Sequence, residues 1–88
     1  QGKWNEAIAC YDNALKLNPQ QPGAVHRKAV ALAASGKFPE AEMMFGAALE
    51  QSPGNPDIFT DMAYAQYLQG KYPEAERNLR QAIAIQFD

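Results

Sequence analysis

The chain has 88 residues, 47% hydrophobic and 20% charged, and its eight Lys and Arg against ten Asp and Glu give a formal net charge of −2. That balance fits one small globular unit and argues against disorder, and against a general electrostatic grip on nucleic acid or anionic lipid. One cysteine, Cys10, and one histidine, His26, make neither an internal disulfide nor a usual metal set, and no apolar run reaches the roughly 20 residues that span a bilayer, so no metal, cofactor or membrane span is expected.

The first residues carry no charged-then-apolar leader and read like the interior of a longer protein, which leaves the compartment undetermined. Apolar or small residues from Trp4 onward recur at helical spacing and predict a helix over 4–17. A second helix is expected over 22–34. Gly36 stands just after it, where a left-handed residue is wanted. Phe38, Ala41, Phe45, Ala48 and Leu49 make one stripe and predict a helix over 38–51, with Pro39 in its first turn, where a missing N–H is harmless. Asn55, Pro56 and Asp57 read as N-cap, first helical residue and dipole-matched acid of a helix over 56–68, whose stripe is Phe59, Met62, Ala63 and Gln66. Gly70 repeats the role of Gly36, and Pro73 opens a last helix over 72–86. Alternating β-branched runs are missing, so the fold class is all-α.

The segment Gly2-Lys3-Trp4-Asn5-Glu6-Ala7 returns as Gly36-Lys37-Phe38-Pro39-Glu40-Ala41 and as Gly70-Lys71-Tyr72-Pro73-Glu74-Ala75, 34 residues apart each time. Ala14, Ala48 and Ala82 keep that spacing, as do Tyr11, Phe45 and Leu79, and Pro19 and Pro53 close two units. With this period and these residues the chain resembles the tetratricopeptide repeat (TPR) family over essentially its whole length. The resemblance implies antiparallel helix pairs stacked as a right-handed α-solenoid. It divides the chain into the second helix of a truncated repeat (1–21), a repeat at 22–55 and another at 56–88. Lys28 and Gln66 depart from the family pattern, which has apolar or aromatic residues there, and local loosening of the packing is expected at both.

Catalytic sets are not suggested. Glu40/Glu42 and Glu74/Glu76 are two apart on a helix, point different ways, and suit the positive helix end. Gly36-Lys37 and Gly70-Lys71 lack the strand and flanking residues of a phosphate loop. Cys10 has no orienting partner and reads as a small half-buried side chain. The chain is therefore expected not to be an enzyme.

The resemblance implies a protein or peptide ligand, held on a concave face lined by the first helix of each complete repeat. The residues expected there are His26, Arg27 and Val30, then Thr60, Asp61, Tyr64 and Tyr67. A family subset that clamps a peptide's C-terminal carboxylate needs Lys and Asn at positions that here read otherwise, so that role is not carried over. Both ends look uncapped: Trp4, Ile8 and Tyr11 at one, Leu79, Ile83 and Phe87 at the other. Self-association by end stacking or helix exchange is expected there. The reading is a non-catalytic interaction module or scaffold; the alternative is a substrate-docking region cut from a larger enzyme such as a transferase. RNA reading by helical repeats is disfavoured by the acidic charge.

Overall fold

The computed structural model describes residues 2–19, 21 and 23–87, which form five helices: α1 (Gly2–Leu17), α2 (Ala24–Ala34), α3 (Phe38–Gln51), α4 (Pro56–Leu68) and α5 (Tyr72–Phe87). No strand occurs among the described residues. The expected start of the second helix, residue 22, lies outside them.

Two turns of identical construction fold the chain back on itself. After α2, Gly36 has φ +88°, and the N–H of Lys37 donates to the carbonyl of Leu32 at 2.8 Å while that of Gly36 donates to Ala33 at 3.1 Å. After α4, Gly70 has φ +81°, with Lys71 donating to Gln66 at 2.9 Å and Gly70 to Tyr67 at 3.0 Å. This paired bonding satisfies carbonyls that a helix end leaves open, and only glycine adopts the left-handed turn without strain. The α3–α4 junction is set differently. The Asn55 side chain accepts from the N–H of Asp57 at 2.9 Å, and Pro56 opens the helix.

The core is built for close approach. Ten of the fourteen buried apolar residues among those described are alanines, and only Phe45 and Ile58 are large and fully enclosed. Small residues let helix axes come together, leaving a few large side chains to fill the gaps. α2 packs on α3 and α4 on α5; α1 covers α2, and α4 rests on both α2 and α3. Ile58 and Ala65 of α4 join Ala29, Ala33, Ala41 and Phe45 in one cluster. α4 is therefore buried on two sides. Ala63 lies beside Ala75 and Leu79 of its own partner α5, whereas Ile58 and Ala65, i and i+7, join the cluster of the preceding pair, with Met62 packed against it.

Lys28 and Gln66, the two departures from the family pattern, each have a polar partner. The Lys28 ammonium pairs with Asp12 of α1. Gln66 accepts from the Asn78 side-chain amide at 2.7 Å. Thirty-four residues earlier the same two positions are Leu32 and Met44, an apolar pair packed in the core cluster. Cys10 is exposed, not half-buried.

Candidate functional site

The residues expected on one concave face divide between two clefts. In the first, Val30, His26 and Arg27 of α2 stand beside Asp57 and Asp61 of α4 and across from Trp4 and Tyr11 of α1, around a volume of about 350 Å³. His26 Nε2 lies 2.7 Å from Asp61 Oδ2, and its ring sits 6.2 Å, centroid to centroid, from that of Phe45. These two expected ligand residues thus bind each other and tie α2 to α4. Arg27 and Asp57 form no side-chain ion pair among the described residues, so the cleft offers one guanidinium and one carboxylate in a lining shared with Trp4 and Tyr11.

The second cleft is lined by Thr60, Ala63, Tyr64 and Tyr67 of α4 with Ala75 and Leu79 of α5, around about 270 Å³. Tyr64 is 54% and Tyr67 61% exposed. The Tyr67 ring meets the edge of Tyr72 at 5.4 Å. The Thr60 hydroxyl donates to the carbonyl of Pro56 at 3.1 Å, so its proton is engaged within the helix. The lining is nearly all carbon, unlike the mixed charge of the first cleft.

Of the residues expected at the uncapped ends, Trp4 and Tyr11 thus belong to the first cleft and Leu79 to the second. Ile8 packs partly buried against the core and borders a separate groove with Lys28, Met43 and Met44 on the other side of α1. Ile83 and Phe87 stand exposed along α5, Phe87 at 81%. Sequence reasoning missed that Trp4 and Tyr11 join His26 and Arg27. One glutamate of each pair makes an ion pair. Glu42 lies 3.5 Å from the Lys71 ammonium and accepts from Gln69 at 3.2 Å, linking α3 to the α4–α5 turn, and Glu76 pairs with Arg80 one helical turn on.

No group of three or more His, Cys, Asp or Glu suited to a metal ion occurs among the described residues, and no helix among them is long and apolar enough to cross a membrane. A family model described as tetratricopeptide repeat matches residues 32–88, and a second, described as TPR repeat, matches residues 1–36. No curated protein matches the chain.

Proposed function

The chain belongs to the tetratricopeptide repeat family, whose repeats generally mediate protein–protein interaction and are typically non-catalytic, and from that membership we propose that it holds a peptide or partner-protein segment in the cleft between α1, α2 and α4. The observation that carries this reading is the juxtaposition of Trp4 and Tyr11 with Arg27 and Asp57 around an open volume of about 350 Å³. Aromatic rings supply contact area at little conformational cost, and the guanidinium can take a carboxylate in two parallel hydrogen bonds. The His26–Asp61 pair forms part of the floor and holds α2 and α4 in register beneath the ligand. The preferred ligand is an extended segment that places an acidic group against Arg27 and an apolar side chain against the rings. The chain acts as a binding module and not as an enzyme.

Trp4 is the single tryptophan and lines this cleft, so its emission reports occupancy. Peptides selected from a random displayed library are expected to shift that emission, and Arg27→Glu should weaken them about tenfold or more, the loss of one charge-assisted contact. Selected peptides that bind while leaving Trp4 emission unchanged would refute the assignment.

A further inference from the structure

The groove between α1 and α3 has a character that the repeat does not demand. Both helices pack on α2, and among the described residues they make no close backbone approach to each other. Leu32 of α2 therefore floors a channel bordered by Ile8 of α1 and by Met43 and Met44 of α3, around about 330 Å³. Moving forward 34 residues from Ile8, Leu32, Met43 and Met44 lands on Glu42, Gln66, Arg77 and Asn78, none of them apolar. In that later unit Gln66 accepts from Asn78 at 2.7 Å, and Glu42 lies 3.5 Å from the Lys71 ammonium. Met43, in contrast, is 72% exposed at a position where the next unit carries an arginine.

The charges differ in the same way. Lys37 lines the groove and corresponds to Lys71, but Ile8 stands where Lys71 finds Glu42. Lys37 accordingly makes no ion pair among the described residues. Lys28 and Asp12, also in the lining, neutralise each other. Glu40 makes no ion pair, but neither does its equivalent Glu74, and both suit the positive end of their own helices. Relative to the next unit, the groove has gained apolar surface and lost one carboxylate.

We infer that this groove docks a segment of a partner protein in which an acidic residue stands beside a large aliphatic one. The acid meets the Lys37 ammonium, and the aliphatic side chain enters between Ile8, Met43 and Met44 above Leu32. Charge complementarity is the argument: the segment gives Lys37 the carboxylate that Glu42 gives Lys71. Unbranched thioethers adapt their shape to an inserted side chain, and a charge-assisted contact beside apolar surface is stronger than one in open water. The groove shares no lining residue with the cleft at Trp4, so the two readings fail independently.

The probe is a displayed random library of twelve-residue segments, selected on the Arg27→Glu chain so that the first cleft is disfavoured. Selected segments are expected to carry Asp or Glu beside Leu, Ile or Met. Titrated into the labelled wild-type chain, they should shift the methyl signals of Met43 and Met44 and leave the amides of Asp57 and Asp61 unmoved. Lys37→Glu should weaken them about tenfold or more, and changing the segment's acid to lysine should restore binding to that variant. Ile8→Glu should weaken them by a similar factor, because it gives Lys37 a carboxylate within the chain. If circular dichroism shows that Ile8→Glu has not folded, Met43→Arg decides, because that side chain is mostly exposed and arginine stands at the equivalent position. No segment that moves Met43 and Met44, segments that bind there through basic residues, or binding unchanged by Lys37→Glu overturns the proposal. So do methyl shifts that grow with chain concentration alone, an outcome that would make the occupant a second copy.

Discussion

His26 and Asp61 lie 35 residues apart in the chain and 2.7 Å apart in space, joining α2 directly to α4. The contact sits where one helix pair meets the next. The His26 side chain is largely enclosed, and that of Asp61 is 39% exposed, so solvent screens the pair in part. A double-mutant cycle with His26→Ala and Asp61→Ala should give a coupling of about 0.5–1.5 kcal/mol in urea unfolding. Additive single effects would mean that the pair is incidental.

Phe45 and Leu79 hold the same position in successive units but in opposite environments. Phe45→Ala empties the centre of the main cluster and should lower stability by about 3–5 kcal/mol. Leu79→Ala removes a half-exposed side chain and should lower it by roughly 1 kcal/mol or less. Chemical denaturation of both variants measures the difference, and equal losses would show that the outer face is covered in solution.

Gly36 and Gly70 have open space where a β-carbon would go, so an alanine meets no clash there. Their φ values of +88° and +81° nevertheless lie in the left-handed region. Gly36→Ala and Gly70→Ala should therefore each destabilise the chain by about 1–2 kcal/mol through backbone strain alone. Thermal melts of the two variants should shift downward by similar amounts, and an unchanged melting temperature would contradict the turn assignment.

The hydrogen-bonded Gln66–Asn78 pair stands where the preceding unit has Leu32 and Met44. Gln66→Leu alone leaves a half-buried amide without its partner and should cost about 1–3 kcal/mol. Combining it with Asn78→Met recreates the apolar pair and should recover most of that loss. Failure of the second change to rescue the first, in urea unfolding, would show that the amide pair has no local energetic role.

The 34-residue spacing was enough to place all five helices within a few residues, because the glycines, Asn55 and the helix-opening prolines act locally. It was not enough to assign surfaces. Periodicity makes Tyr67 equivalent to Ala33, yet Ala33 is covered by the following pair and Tyr67 is 61% exposed. Whether a position is core or surface depends on its neighbour along the stack, which composition at that position does not encode. Ile58 falls outside the stripe that the periodicity predicts. That stripe holds Ala63, beside Ala75 and Leu79 of α5, whereas Ile58 joins the cluster built with α2 and α3. Trp4 and Tyr11 read as an unfinished end, and only their approach to His26 and Arg27 across α2 makes them the wall of a cleft.

The central claim is that the cleft between α1, α2 and α4 takes a partner segment, and amide shift mapping of a library-selected peptide on a labelled sample tests it most directly. A library-selected peptide should perturb His26, Arg27 and Val30 and leave Ala75 and Leu79 unmoved. Shifts confined to α5, or none at His26, Arg27 and Val30, would contradict it.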